Sequence, residues 1–243
     1  MKTIRHIIGL TAALLLVGAC SKGAYSPISP SEDYSSSTSP ADGPDGKDGT
    51  NCFDCIATVK QKADGTLFLQ VDDELRVTPQ VDPTLHLFSH PYTRPYRLMC
   101  LLTVLPTVLE DGSCAGIIAW DIPLQEGSVV AGEATIGTDE GLDVLDDWST
   151  SLEDAFLTIR YSVYWSKGIM HSLQIVTGVN PDDPYEVQLL HCANGDSPDE
   201  KGDAIIAFDL NTLPYTEGST ITLKWTTLAG EPAQRKFLFR SRE

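Results

Sequence analysis

The chain contains 243 residues, of which 17 are basic and 34 acidic, giving a formal net charge of −17. Hydrophobic residues make up 42% and aromatic residues 8%, which is enough for a sizeable core, so wholesale disorder is not expected. Because phosphate binding needs clustered Lys and Arg, this acidic balance argues against nucleic acid as a partner.

Residues 1–19 are predicted to form a lipoprotein signal peptide. After a short positively charged start, residues 7–19 carry no charge. Such a segment rises about 20 Å as a helix, too short for a bilayer core of roughly 30 Å. Small residues at positions 17–19 precede Cys20, whose thiol and freed amine could carry fatty acyl chains such as palmitate. We therefore predict a lipid anchor at Cys20; the alternative is an ordinary signal peptide that ends near a cysteine.

A lipidated Cys20 predicts a protein of a Gram-negative cell envelope, held on the outer membrane, with the periplasmic or surface leaflet left open. Residues 20–51 are predicted to be the lipidated cysteine and a flexible linker, because sixteen of residues 21–51 are Ser, Pro or Gly. Such a segment cannot bury enough apolar surface to offset its ordering entropy.

Residues 52–133 are predicted to form a small closed or partly closed β-barrel. The segment opens with a hairpin in which residues 63–65 (Ala-Asp-Gly) join two strands. Residues 97–105 and 115–122 are more continuously apolar, as central strands buried on both sides would be.

Residues 134–243 are predicted to form an antiparallel β-sandwich. Apolar and polar residues alternate along each segment, so that every strand has one buried face and one solvent face. The alternating segments are residues 157–165, 185–189, 204–210, 220–226 and 237–239. Turn-forming residues such as 181–184 and 194–196 separate them.

Short blocks in the folded part resemble the NigD-like family. The clearest is IVTGVNP at residues 175–181, followed by PYE at 184–186. Others in the family's order are ATVK at 57–60, ADG at 63–65, FLQ at 68–70, DDW at 146–148, DAFLTI at 154–159, KGD at 201–203, LP at 213–214 and LKW at 223–225. The resemblance implies an N-terminal OB-like barrel and a C-terminal β-sandwich. The family is named after a member in a bacteriocin locus, proposed as an immunity protein, and it supplies no catalytic residues.

Cys52 and Cys55 are candidates for a disulfide or a redox pair, and they are not part of the family pattern. A reactive Cys-x-x-Cys usually opens a helix, but here a strand is predicted to follow, and Asp54 disfavours a thiolate. A structural disulfide or two free thiols are therefore favoured over catalysis. Besides Cys20 there are five cysteines, so at least one is unpaired in a monomer, and Cys100 is predicted to be a buried core thiol.

No metal, cofactor or catalytic site is predicted. His86 and His90 have the spacing of a helical metal pair, but nearby prolines favour a short irregular connection. His171 and His191 are interpreted as ordinary strand-edge residues. The acidic loop at residues 194–203 could hold calcium, although a solvated hairpin tip is favoured. The sequence shows no recognisable Ser, His and acid set.

The leading hypothesis is an envelope lipoprotein that binds a protein or glycan partner without catalysis, bacteriocin immunity being one version. An OB-like barrel commonly offers a groove, which Trp120 or Trp148 could line, although a core plug between the domains is the favoured role of Trp148. The negative charge would steer a cationic toxin. The alternatives are an envelope enzyme, such as a thiol–disulfide protein, and a structural or accessory subunit of a surface glycan-handling assembly.

Overall fold

The computed structural model describes residues 51–80, 82, 84–166, 168–196 and 200–242. The predicted signal peptide, Cys20 and all but the last residue of the predicted linker lie outside the described residues. The first part of the fold contains β1 (Asn51–Gln61), β2 (Leu67–Gln70), β3 (Arg76–Pro79), α1 (His86–Ser89), β4 (Tyr96–Val108) and β5 (Cys114–Pro123). The second part contains β6 (Gln125–Glu126), β7 (Ser128–Ala131), β8 (Asp143–Val144), β9 (Ser151–Glu153), β10 (Phe156–Trp165), β11 (Ser172–Thr177), β12 (Glu186–Cys192), β13 (Glu200–Asp209), β14 (Ser219–Thr226) and β15 (Pro232–Phe239).

The first five strands form a closed barrel in the order β1-β2-β3-β5-β4, with β4 returning to β1. The pair β3–β5 is parallel, and the other neighbours are antiparallel. A side chain on Gly116 of β5 would clash with Val77 of β3, so glycine permits the close approach where these two strands pair. This is the five-stranded arrangement of an OB-like barrel, so the predicted fold of this part is confirmed.

Inward-facing side chains of all five strands fill the barrel. The buried set includes Val59, Leu69, Val77, Leu98, Leu102 and Ile118. Burying each such side chain contributes about 1.5–3 kcal/mol, so these residues stabilise the closed barrel.

The short helix α1 is seated on the barrel by a carboxylate from β5. Asp121 accepts hydrogen bonds from the backbone N–H groups of His86 at 2.8 Å and Leu87 at 2.6 Å. Leu87 is buried in the barrel core, and the rings of His86 and His90 stack with centroids 4.1 Å apart. The predicted irregular connection is therefore a single helical turn at residues 86–89.

The second part is a sandwich of two sheets, which confirms the predicted fold. One sheet has the order β6-β13-β10-β8, with β9 also on β10; the other has the order β15-β14-β12-β11-β7. Most pairs are antiparallel, but β6–β13, β7–β11 and β12–β14 are parallel. The core between the sheets includes Leu157, Ile159, Ile175, Leu189, Phe208, Leu223 and Phe239.

Ion pairs connect the barrel to the sandwich. Nζ of Lys60 on β1 lies 3.0 Å from Oδ1 of Asp154, in the turn between β9 and β10. Asp154 and Ala155 have positive φ angles of 49° and 59°, as a two-residue hairpin turn with matching twist requires. Arg94 donates to both carboxylate oxygens of Glu126 at 2.9 and 2.7 Å. In the described part of the chain, no helix is long and apolar enough to cross a membrane.

Candidate binding surface at the end of β10

Four large apolar side chains are exposed within seven consecutive positions where β10 ends and the connection to β11 begins. Tyr164 is 48% exposed, Trp165 37%, Ile169 41% and Met170 76%. We call these four residues the apolar tip. Tyr164 and Trp165 are consecutive on β10, so their side chains point to opposite faces of the strand, and Ile169 and Met170 lie in the connection that follows. Exposed Trp, Tyr and Met side chains are typical of binding surfaces.

The indole of Trp165 lies over the backbone of β13. A Cβ atom built on Gly202 would clash with Nε1 of Trp165 and fall 2.9 Å from Cδ1. Gly202 pairs with Val163, two residues before Trp165 on β10. The absence of a side chain at position 202 therefore lets the ring rest on the sheet, which restricts its orientation.

A buried carboxylate holds both ends of the β10–β11 connection. Asp196 accepts a hydrogen bond from the backbone N–H of Ser166 at 2.7 Å and another from the Ser166 hydroxyl. Nε2 of His171 lies 3.0 Å from Oδ2 of the same carboxylate. The side chains of His171 and Asp196 are 7% and 0% exposed. The two ends of the connection therefore share one buried partner.

A second histidine extends this network inward. Nε2 of His191 lies 2.9 Å from Nδ1 of His171, and Nδ1 of His191 lies 2.6 Å from the carbonyl oxygen of Gly141. Because the carbonyl only accepts, Nδ1 of His191 carries a proton and donates it. Burial lowers the pKa of His191, with the charge of His171 as a further cause, whereas the bond to Gly141 acts in the opposite direction.

The hydrogen bonds of this chain link three buried side chains. Nδ1 of His191 is occupied by its bond to the carbonyl of Gly141, so Nε2 of His191 is the nitrogen that meets Nδ1 of His171. The carboxylate of Asp196, which accepts two hydrogen bonds from Ser166, meets Nε2 of His171. His171 therefore connects Asp196 to His191.

An amide completes the support of the tip. Nδ2 of Asn194 donates to the backbone carbonyl of Met170 at 2.6 Å and to Oγ of Ser172 at 2.9 Å. Asn194 has a positive φ of 55°, a conformation that asparagine tolerates better than most residues. The backbone beneath Met170 is thus fixed while its side chain stays exposed.

The network is arranged for support and lacks the geometry of nucleophilic catalysis. A serine nucleophile needs its hydroxyl on the imidazole that will take its proton. Here the Ser166 hydroxyl bonds to the carboxylate of Asp196, and both nitrogens of each histidine are engaged within the protein. Neither imidazole has a nitrogen free to exchange a proton with a substrate.

Residues 123–239 match the family model of the NigD-like C-terminal beta sandwich domain. This part of the chain belongs to the NigD-like family. The match spans all ten strands of the sandwich, and it confirms the resemblance seen in the blocks between residues 146 and 225. The apolar tip and the residues that support it lie within the NigD-like domain.

Solved structures with the same fold come from Parabacteroides and Bacteroides species. A Parabacteroides distasonis protein described as toxin-related is 21% identical, with a TM-score of 0.64, covering 79% of this chain and 94% of its own. A NigD-like immunity protein from Bacteroides caccae is 18% identical, with a TM-score of 0.55, covering 77% and 96%. A Bacteroides fragilis protein described as a lipoprotein is 10% identical, with a TM-score of 0.54, covering 79% and 100%. At these identities the likeness shows the fold. No curated protein matches the chain.

The structure separates the two cysteines that the sequence singled out. Cys52 and Cys55 both lie on β1, but Cys52 is exposed whereas Cys55 is buried. Three positions along a strand place two side chains on opposite faces. Neither is in a disulfide, and the sulfur of Cys55 lies 3.5 Å from that of Cys100 on β4. Cys100 is fully buried, as expected.

The acidic loop of the NigD-like domain is not the purely solvated tip that was expected. Asp196 turns inward to Ser166 and His171, while Asp203 pairs with Arg160 at 3.0 Å. Asp199 lies outside the described residues. Among the residues that are described, no group of three His, Cys, Asp or Glu side chains could hold a metal ion. His171 and His191, interpreted as ordinary, are the residues that sequence reasoning missed.

Of the two tryptophans predicted to line a barrel groove, Trp120 lies on β5 of the barrel and Trp148 lies in the connection between β8 and β9 of the sandwich. Trp148 is 56% exposed, so the favoured role as a core plug is wrong, and Trp120 is half-buried. A depression of about 340 Å³ on the barrel is lined by Leu67, Leu87, Phe88, His90 and Tyr92 among others. A larger open depression of about 550 Å³ lies on the NigD-like domain and has a mixed lining that includes Val179, Trp225, Glu186, Gln188 and Lys224.

Proposed function

We propose that this NigD-like chain is an envelope-anchored binding protein that holds a cationic protein partner at its apolar tip and performs no chemistry on it. The observation that carries the proposal is the rigid exposure of Trp165 and Met170. Both side chains face solvent, while the backbone around them is tied to the buried Asp196 and to Asn194. A pre-organised apolar surface binds with less loss of conformational entropy than a mobile one.

The chemistry of the tip favours a protein over a glycan. Ile169 and Met170 are aliphatic, and together with Tyr164 and Trp165 they match the residue types enriched at the centres of protein interfaces. A glycan site would need polar side chains beside the aromatic rings to pair with the sugar hydroxyls. The tip residues themselves supply only the phenol of Tyr164 and the indole N–H of Trp165 for that purpose.

Charge favours a cationic partner. The whole chain carries a formal net charge of −17, and exposed Glu140 and Glu200 lie near the tip. Glu200 pairs with Trp165 across the sheet, and Glu140 is held against the backbone of Ala193. The nearby Lys201 is offset by Asp143 at 3.2 Å. An acidic surface around an apolar centre accelerates encounter with a basic protein.

The proposed function also includes a lipid anchor and a role in bacteriocin immunity. The lipid anchor at Cys20, on the outer membrane, is supported by the signal sequence and by the lipoprotein description of the Bacteroides fragilis structure. Immunity is supported by the family's name and by the Bacteroides caccae structure. A tethered protein of this charge would intercept a cationic toxin before it reaches the inner membrane.

Photo-cross-linking in intact cells tests the proposal. A photoreactive residue at position 170 reports on the tip, and the same residue at position 215 is the control, since Tyr215 is 69% exposed. Asp209 pairs with Phe156 at the start of β10, whereas the tip lies at the end of β10. Position 215 comes shortly after Asp209 and therefore lies at the opposite end of the sandwich. We expect one basic protein cross-linked from position 170 and not from position 215. Equal yields at both positions, or none at position 170, would contradict the proposal.

A further inference from the structure

Two buried thiols face each other inside the barrel. Cys55 on β1 and Cys100 on β4 are directly opposite partners in an antiparallel pair. Their sulfur atoms lie 3.5 Å apart, and the residues are 6% and 0% exposed. Directly opposed residues in antiparallel strands have Cα atoms about 4.5–5.5 Å apart, within the roughly 4.4–6.8 Å that a disulfide requires.

We propose that Cys55 and Cys100 are a disulfide site that cross-links strands β1 and β4 of the mature protein. The sulfur atoms must close to about 2.05 Å, which rotation of two side chains achieves without a change in strand register. Cys52 cannot replace Cys55, because it lies on the other face of β1 opposite Thr103. The pairing therefore differs from the Cys52–Cys55 pair that the sequence suggested.

Disulfide formation here requires an oxidant, and a disulfide of the glutathione or oxidoreductase class supplies it. The thiolate of one cysteine attacks the oxidant's disulfide, forming a mixed disulfide and releasing one oxidant thiolate. The thiolate of the other cysteine then displaces the second oxidant thiolate and closes the Cys55–Cys100 bond. Two protons leave the cysteines, and the two-electron oxidation of the protein reduces the oxidant to two thiols. Inside the cell envelope such oxidants are present, so the occurrence of the bond in cells rests on the proposed location.

The folded barrel should resist this reaction once it has closed. The hydrogen bond with Cys55, together with burial, raises the pKa of Cys100 above its ordinary value. A thiol with a raised pKa gives little thiolate at neutral pH, and neither sulfur is accessible to a bulky oxidant. The bond therefore forms while the chain is still unfolded or partly folded, and the closed barrel then protects it.

Refolding with mass spectrometry tests the site independently of cellular location. The full-length chain carrying Cys20→Ser is unfolded, refolded in a glutathione redox buffer, alkylated and cleaved before aspartate. Cleavage at Asp54 separates Cys52 from Cys55, and cleavage at Asp111 separates Cys100 from Cys114. We expect fragment 54–63 linked to fragment 82–110. A link between fragments 48–53 and 54–63, or complete alkylation of Cys55 and Cys100, would overturn the proposal.

Thermal unfolding of the same protein provides a second measurement. The bond encloses a loop of 45 residues, so the oxidised protein should melt about 10 °C higher than the reduced protein. Cys52→Ala should keep this difference, and Cys55→Ala should abolish it. An equal difference in both variants would overturn the proposal, and the mass map of the parent protein decides the question if Cys55→Ala does not fold.

Discussion

The imidazole of His171 lies with Nδ1 2.9 Å from Nε2 of His191, and its other nitrogen faces the carboxylate of Asp196 at 3.0 Å. His171 thus links the β10–β11 connection, which carries part of the apolar tip, to His191 on β12 and to Asp196 in the loop after β12. We expect the positions of Trp165 and Met170 to depend on the network of Asp196, His171 and His191. The contribution of this network to stability can be measured separately from binding.

Asp196→Asn should destabilise the protein by about 3 kcal/mol. The substitution replaces a buried carboxylate that accepts two hydrogen bonds from Ser166 and meets His171, and losing a buried acceptor of this kind is costly. Urea unfolding at pH 7 measures the change. Asp203→Asn is the matched control: Asp203 pairs with Arg160 at the surface, and we expect a loss below about 1 kcal/mol. Equal losses for the two variants would argue against a special role for the buried Asp196 network.

The network should weaken in mild acid because of His191. Burial lowers its pKa below 6.5 in the folded protein, so below about pH 6.5 the unfolded chain takes up a proton that folded His191 does not. Stability from this residue is therefore present above pH 6.5 and is lost as the pH falls. Compared with the parent protein, His191→Gln should be less stable at pH 7 but show a shallower loss between pH 6.5 and 5 by urea titration. Parallel slopes would contradict this assignment.

Gly202→Ala should move Trp165 away from β13. The added methyl group would clash with the indole, and relieving that clash costs about 1–2 kcal/mol. The indole N–H resonance of Trp165, assigned with Trp165→Phe, should shift in the variant. Gly218→Ala is the control, since its Cβ would be 3.8 Å from the nearest side chain, Leu238. An unchanged Trp165 resonance in Gly202→Ala would show that the ring does not rest on the sheet.

Glu153→Gln should stabilise the protein at alkaline pH. Burial raises the pKa of Glu153 to about 7, although nearby Arg97 opposes the shift. The folded state keeps this proton to a higher pH than the unfolded chain, so stability is lost as the pH rises from about 4.5 to about 7. We expect a gain of about 3 kcal/mol at pH 8 and almost none at pH 4.5. A gain that is the same at both pH values would contradict the shift.

The long strands of the sandwich could be predicted because one-sided burial leaves a period of two in the sequence, whereas two central barrel strands were predicted from continuous apolar runs at residues 97–105 and 115–122. Residues 157–165 and 220–226 alternate in this way, and they became β10 and β14. The parallel strands β6 and β7 gave no such signal, since two and four residues are too few to show a period. Their pairing depends on partners far along the chain.

The support of the tip could not be predicted, because it depends on contacts between distant segments. Asp196 lies in a run of polar turn residues that is typical of a solvated loop, yet it is buried against His171, 25 residues away. His171 and His191 are 20 residues apart and meet only because β11 pairs with β12. Trp148 is the opposite case: the sequence favoured a buried side chain, but the side chain is exposed in the structure.

The affinity of the cross-linked partner for purified variants tests most directly whether the apolar tip is the recognition surface. Trp165→Ala is compared with Trp148→Ala, which removes another exposed indole from a different part of the domain. Calorimetric titration should show a loss of affinity of at least about tenfold for Trp165→Ala, as expected for an aromatic residue at an interface centre, and no change for Trp148→Ala. Unchanged affinity in Trp165→Ala, with the fold intact, would contradict the account.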